Sequence, residues 1–136
     1  MTASTTPVTF DDSVRALLDG KNFAGVATLG PDGAPQNSVV WIKRDGDTVL
    51  FSSLDGRQKV RNLRRDPRIS LSVYDITNPY TSIEIRGTAE ILPDEGKRLP
   101  LELSHKYLGV DPPAEKDDET RVIIRVVPHK VIGFAA

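Results

Sequence analysis

Short runs of β-branched and apolar residues, separated by tight turns, constrain the fold of this 136-residue chain more than any other feature of its sequence. Gly30-Pro31-Asp32-Gly33 and Asp45-Gly46 are turn sequences of the kind that join neighbouring antiparallel strands. The pattern predicts six or seven strands, drawn from Phe23–Leu29, Gln36–Lys43, Thr48–Ser52, Ile69–Tyr74, Thr81–Leu92, Val122–Val127 and Lys130–Phe134. Such a series predicts a mainly β fold, an antiparallel barrel rather than alternating strands and helices.

Three short helices are predicted beside the strands. The first has a capping-box pattern at Thr9 and Asp12 and ends at Gly20. Its apolar face is formed by Phe10, Val14, Leu17 and Leu18. The second follows the turn at Asp55-Gly56. The third is expected to have Pro93 in its first turn and an apolar face of Leu99, Leu103 and Tyr107.

The length predicts a single domain. Residues 1–8 are rich in Thr and Ser and are expected to form a flexible arm, which leaves residues 9–136 as the barrel. Ile76–Tyr80 and Asp111–Glu119 are expected to be loops. The chain has no Cys, so disulfides, thiolate nucleophiles and Cys-based metal sites are excluded.

Charge and hydropathy narrow the function classes. A formal net charge of −1 argues against general nucleic-acid or membrane binding. No apolar run reaches the roughly 20 residues of a membrane span, and the first residues lack the blocks of a signal peptide. The sequence therefore predicts a cytoplasmic protein.

A short basic helix stands between two of the predicted strands. It follows Asp55-Gly56, and its cationic positions include Arg57, Lys59 and Arg61. Free N–H groups and the positive end of the helix dipole favour a phosphate there, and Lys or Arg adds charge-assisted hydrogen bonds. The alternative is a solvated helix whose charges only keep the protein soluble, and the pattern by itself does not separate the two.

No side-chain acid, base or nucleophile stands out. The two histidines, His105 and His129, lie outside any triad or metal-ligand pattern and are both expected at the surface. Phosphate-binding glycine motifs of the Rossmann and Walker types are also missing from the sequence. A protein of this kind can bind and orient a cofactor that performs the chemistry itself.

The basic helix belongs to a longer motif, Ser-Ser-x-x-Gly-Arg-x-Lys-x-x-Asn-Leu-x-x-Asp-Pro-Arg, over residues 52–68. Three further segments keep the same order: the strand, turn and strand of Gly25–Gln36, the kinked strand Ile83–Ile91, and Arg121–Gly133. Together these segments resemble the pyridoxamine 5′-phosphate oxidase-like split β-barrel family, and most closely its actinobacterial branch that uses the deazaflavin coenzyme F-420. The resemblance covers most of residues 9–133 and implies a six- to seven-stranded antiparallel split β-barrel of the flavin mononucleotide (FMN)-binding type.

The resemblance implies a coenzyme F-420-dependent reductase that transfers a hydride to an electron-poor organic acceptor. In that family the cofactor lies in the groove between the two barrels of a homodimer. Carried over by position, the strand beneath the ring supplies Gln36, Ser38, Val39, Val40 and Trp41, the phosphate region supplies Ser52, Ser53, Arg57 and Lys59, and the second subunit supplies Tyr80 and Ser82. For Trp41, a plain core aromatic is an equal alternative.

Alternatives remain open at the level of sequence. The chain is short and has no C-terminal Arg-x-His substrate motif, which argues against oxidation of vitamin B6. FMN is the alternative cofactor, in an oxidase or reductase of the same fold. A non-catalytic module that binds a flavin or haem is the third hypothesis.

Overall fold

The computed structural model describes residues 6–115 and 119–134, which form seven strands and three short helices. The helices are α1 (Asp12–Asp19), α2 (Gln58–Arg65) and α3 (Arg98–Tyr107). The strands are β1 (Ala24–Leu29), β2 (Pro35–Val40), β3 (Lys43–Asp45), β4 (Thr48–Leu54), β5 (Arg68–Asp75), β6 (Asn78–Pro93) and β7 (Arg121–Phe134). Residues 1–5, 116–118 and 135–136 lie outside the described residues, and with them parts of the predicted arm, loop and domain.

All seven strands belong to one antiparallel sheet in the order β2-β1-β5-β6-β7-β4-β3. Its two ends, β2 and β3, are joined along the chain by Trp41 and Ile42 but are not neighbours in the sheet order. The barrel is therefore split at this point. The mainly β, antiparallel split-barrel fold expected from the sequence is confirmed.

Side-chain alternation determines which residues face the core. In β4, Val49 and Phe51 are fully buried, whereas Ser52, the residue after Phe51, is only half-buried. The neighbouring strand β7, which is hydrogen-bonded to β4, buries Val122, Ile124 and Val126 in the same alternation. Because successive side chains point to opposite faces, Ser52 and Arg121 share the outer face of the β4–β7 pair.

Both predicted helix starts that relied on a capping rule were wrong. Asp11, not Thr9, caps α1, because its carboxylate accepts a 2.9 Å hydrogen bond from the Val14 amide. Pro93 is the last residue of β6 rather than a first-turn proline. Asp94 then accepts hydrogen bonds from the first two amides of α3, at 3.0 and 3.1 Å. The start of the helix is therefore stabilised by a carboxylate rather than by a proline.

Strand boundaries also needed correction. β6 begins at Asn78, inside the segment predicted as a loop, and the run Gln36–Lys43 divides into β2 and β3 around the buried Ile42. β7 continues through Pro128, where two strands were expected. Pro128 pairs with Gly87 at a register shift in β6, and such a bulge accommodates a residue that has no N–H.

Candidate functional site

A cavity of about 790 Å³ lies against the outer face of β4 and β7, between the end of β2 and the helix α3. Its walls come from six segments of the chain. They are Val39, Val40, Trp41, Ser52, Lys59, Gly96, Lys97, Pro100, Leu101, Leu103, Asp111, Pro112, Pro113, Ala114, Glu115 and Arg121. The cavity thus has a largely apolar wall from β2, α3 and the proline segment, and a cationic wall from α2, β7 and Lys97.

The apolar wall is held in place by an aromatic stack. The Trp41 ring lies 5.2 Å from the Tyr107 ring, centroid to centroid, at an interplanar angle of 7°, and Phe23 stacks on Tyr107 at 5.6 Å. The Tyr107 hydroxyl donates a 2.5 Å hydrogen bond to the Asn22 carbonyl and accepts one of 3.1 Å from the Ile42 amide. These contacts fix Trp41 as a flat, half-buried wall of the cavity, which suits packing against a planar ring.

Lys59 is the most informative cation of the site. Its side chain is half-buried, and its ammonium group donates a 3.2 Å hydrogen bond to the Ser38 hydroxyl. Burial, and secondarily the charge of Arg57, lowers the pKa of Lys59. Among the described residues no carboxylate lies within salt-bridge distance of it, so a charged group has been partly desolvated without an internal counter-ion. An anionic ligand would restore that balance.

The other basic residues of α2 divide into two groups. Arg57 precedes the helix, is exposed, and caps no amide with its side chain. At the other end, Arg64 pairs with Asp55, and Arg68 lies 2.6 Å from an oxygen of Asp66. The pKa of Asp66 falls to about 2, mainly through its hydrogen bond from Arg68. Of the basic residues in and next to α2, only Lys59 lines the cavity, and Arg57 lines a smaller pocket at the turn before the helix.

Five of the eleven residues expected at the cofactor line this cavity: Val39, Val40, Trp41, Ser52 and Lys59. Ser38 does not line the cavity, but its hydroxyl accepts the hydrogen bond from Lys59. Gln36 lies beneath α2, where its side-chain oxygen accepts a 3.1 Å hydrogen bond from Asn62. Ser53 is buried and donates to the Leu54 carbonyl, so only its backbone is available to a ligand at the strand end.

Tyr80 and Ser82 lie elsewhere on the same chain. Tyr80 is 72% exposed at the start of β6. Ser82 lines a different cavity, of about 710 Å³, together with residues of α1 and the end of β7. Neither residue lines the cavity of Trp41 and Lys59 in its own chain.

Several polar residues around the site were not predicted from the sequence. Lys97, Glu115 and Arg121 line the cavity, and Asn62 joins α2 to the sheet below it. Arg121 could have been found from strand alternation, because it lies on the same face as Ser52 two strand positions away. Glu115 gives no sequence signal, since it belongs to a segment without regular structure.

The two histidines take no part in the cavity. His105 is exposed and contacts Asp111, as expected for a helix-surface residue. For His129 the expectation of surface exposure was wrong: the ring is half-buried, and its Nε2 lies 3.0 Å from the Thr88 hydroxyl. Within residues 6–115 and 119–134, no three metal-binding side chains cluster, and no helix has the length and hydropathy of a membrane span.

Known proteins resemble this chain in sequence and in fold. A family model described as pyridoxamine 5′-phosphate oxidase matches residues 10–134, almost the whole chain. The chain belongs to the pyridoxamine 5′-phosphate oxidase family. This is a family of oxidoreductases that bind flavin-type cofactors, which fits a cavity with one flat aromatic wall and one cationic wall.

Individual relatives give a finer picture. Over 84 residues the chain is 30% identical to the pyridoxine/pyridoxamine 5′-phosphate oxidase of Kineococcus radiotolerans, a match that spans 62% of this chain but only 37% of that enzyme. A solved F420 reductase is 37% identical, with a TM-score of 0.81 over 90% of this chain and 98% of that one. A conserved hypothetical protein from Mycobacterium tuberculosis shares the fold at 22% identity and a TM-score of 0.76.

Proposed function

We propose that this protein is a coenzyme F-420-dependent oxidoreductase that reduces an electron-poor organic acceptor. The observation that carries the proposal is the likeness to the F420 reductase, which extends over nearly the full length of both chains. The match to the Kineococcus oxidase is shorter and covers little more than a third of that enzyme. When bound, the reduced deazaflavin supplies the hydride, and the protein has to bind and orient it.

The cavity residues fit such a ligand. Lys59 and Ser52 of the cavity would hold the phosphate, together with the exposed Arg57, whose charge acts on Lys59, since an ammonium, a hydroxyl and a guanidinium are suitable oxyanion donors. Trp41 and Val40 would pack on the ring, with Tyr107 behind Trp41.

The proposal includes a homodimer. Tyr80 and Ser82 do not reach the cavity within one chain, so they can contribute to the site only from a second copy. The outer face of the sheet is suited to close packing, because Gly25 lies between the exposed Val39 of β2 and Ser72 of β5. An interface of this kind would bury on the order of 2,000 Å² or more.

FMN is the second candidate cofactor. It also combines a planar ring with a phosphate, and the family match does not distinguish the two cofactors. A non-catalytic flavin- or haem-binding module remains the third reading of the same fold, and turnover of an acceptor separates it from an enzyme.

Titration with both cofactors side by side tests the assignment. We expect F-420 to quench the fluorescence of Trp41, the chain's single tryptophan, at low-micromolar concentration or below, and FMN to bind more weakly. Added electron-poor acceptors should then oxidise the reduced cofactor. Tight FMN binding without competition by F-420 would replace this proposal with the FMN reading.

Lys59→Ala tests the phosphate site. Because a hydrogen bond to a charged group is worth roughly 1.5–3 kcal/mol, F-420 affinity should fall about ten- to a hundredfold. Arg68→Ala is the matched control, since it removes one positive charge at the start of β5, beyond the far end of α2. Equal affinity for Lys59→Ala and the wild type would assign the basic helix to solubility alone.

Sedimentation tests the assembly. A dilute sample should run as a stable dimer, and a Val39→Glu substitution should weaken it by placing a charge on the exposed face of β2. A folded monomer with full cofactor affinity would exclude the shared site.

A further inference from the structure

Arg121 lines one end of the cavity, and the proposed function gives this residue no role. Its guanidinium donates a 2.9 Å hydrogen bond through Nε to Glu115 Oε1, and Nη2 contacts the same oxygen. Its Nη1 lies 3.5 Å from the Ser52 hydroxyl. The other Glu115 oxygen lies 3.2 Å from the Lys97 ammonium. Two cations from separate segments thus converge on one carboxylate.

This arrangement has the chemistry of an oxyanion site whose ligand is supplied by the protein. Arg121 and Glu115 each keep 22% of their side-chain surface exposed, and both line the cavity. The pKa of Glu115 is lowered, first by its hydrogen bond from Arg121, so the carboxylate is charged at neutral pH. A guanidinium fork can bind the oxygens of either a phosphate or a carboxylate.

The position of Glu115 makes its carboxylate replaceable. It follows Pro112 and Pro113 in a segment without regular secondary structure, whereas Arg121 begins β7 and Ser52 lies within β4. Rotation of the Glu115 side chain would uncover Arg121 and Lys97 while the strands stay fixed. The remaining acid of the cavity wall, Asp111, contacts His105 instead of either cation.

We propose that Arg121, with Lys97, is an oxyanion-binding site of the cavity, and that Glu115 occupies it until a phosphate or carboxylate of the ligand displaces it. The inference rests on the proposed function in one respect, that the ligand enters the same cavity as Lys59. It adds a second cationic contact on the β4–β7 pair, next to Ser52, and it makes Glu115 a competitor for the ligand.

Opposite effects of two substitutions test the proposal. Glu115→Gln and Arg121→Gln delete the same ion pair, so a purely structural pair predicts the same direction of change for both. The proposal predicts that Glu115→Gln strengthens anion binding about tenfold and that Arg121→Gln weakens it about tenfold or more. Asp111→Asn is the charge-matched control, because it also removes one negative charge from the cavity wall.

Inorganic phosphate and glutarate serve as probes. Their binding is measured from the NMR signal of the indole N–H of Trp41, a residue that lines the same cavity. The probe that binds Glu115→Gln more tightly identifies the ligand group as a phosphate or a carboxylate. Thermal unfolding of each variant confirms that it is folded, and Arg121→Lys, which keeps the charge without the fork, should fall between wild type and Arg121→Gln.

Three results would overturn the proposal: the same direction of change in Glu115→Gln and Arg121→Gln, an equal gain in Asp111→Asn, or no response of Glu115→Gln to either probe. Failure of F-420 to bind the wild type while the probes behave as predicted would reject the proposed function and leave this site intact.

Discussion

Replacement of the Asn62 side chain should weaken the attachment of the basic helix α2 to the barrel. Asn62 is completely buried in α2, and its amide nitrogen donates to the Thr28 hydroxyl at 3.0 Å and to Gln36 Oε1 at 3.1 Å. Its amide oxygen accepts a 2.8 Å hydrogen bond from Gln58. Both donor positions of the side chain are used, so this amide fastens α2, one turn after Lys59, to β1 and β2.

Replacement by Ala removes those bonds and leaves the buried Thr28 hydroxyl and the Gln36 oxygen with fewer partners. Each net hydrogen bond contributes about 1 kcal/mol, and each buried group left unpaired costs about as much again or more. We therefore expect Asn62→Ala to lower the free energy of unfolding by about 2–4 kcal/mol. For a chain of this size that corresponds to a melting temperature lower by roughly 8–16 °C.

Thermal and urea unfolding measure the loss directly, and Gln58→Ala is the matched control. Gln58 makes one hydrogen bond to the same amide but is exposed, so its removal should cost less than about 1 kcal/mol. Below the melting transition, Asn62→Ala should also bind F-420 less tightly, because Lys59 lies on the loosened helix. The reasoning is refuted if Asn62→Ala is no less stable than Gln58→Ala.

Three further substitutions test single contacts of the fold. Gly87→Ala would place a Cβ 2.1 Å from the Val127 carbonyl oxygen, so we expect a loss of about 1–3 kcal/mol or more in urea unfolding, and wild-type stability would contradict the close approach. Asp94→Ala removes the carboxylate that caps α3 and should cost about 0.5–2 kcal/mol in the same assay, with no change if water replaces it. Tyr107→Leu should reduce the near-ultraviolet circular dichroism of Trp41 while Tyr107→Phe preserves it, and identical spectra for the two would reject the stack as the source of rigidity.

The strands were predictable because their signals are local. Alternation in β4 and the turn residues around Gly33 and Gly46, both with positive φ, specify strand, turn and strand within a few residues of each other. The errors occurred where contacts between residues distant in sequence determine the bounds of an element. Asp47 holds the Phe10 amide at 3.0 Å and so fixes where the chain enters α1 at Asp11, a contact across 37 residues that no capping rule contains.

The continuity of β7 shows the same limit. Proline normally ends a strand because it cannot donate to the ladder, and by that rule Pro128 divides the C-terminal segment in two. In the barrel, β6 shifts register between Arg86 and Gly87, which leaves His129 as the additional residue of β7. The Val8 amide donates to the Pro128 carbonyl at 3.0 Å from the opposite end of the chain. The partner strands, rather than the local sequence, therefore decide that this strand continues.

In the basic helix, the structure gives the basic residues at the two ends different surroundings. Toward the end of α2 the arginines have partners within the described residues, Arg64 with Asp55 and Arg65 with the Leu29 carbonyl, so they stabilise the helix and its contacts. At its start, Lys59 is half-buried with a lowered pKa and a hydroxyl as its hydrogen-bond partner. A lysine needed only for solubility gains nothing from desolvation, because a fully hydrated ammonium is lower in energy. Partial burial of Lys59 therefore lowers the stability of the free protein, and under the proposed function the anion of the ligand would offset that cost.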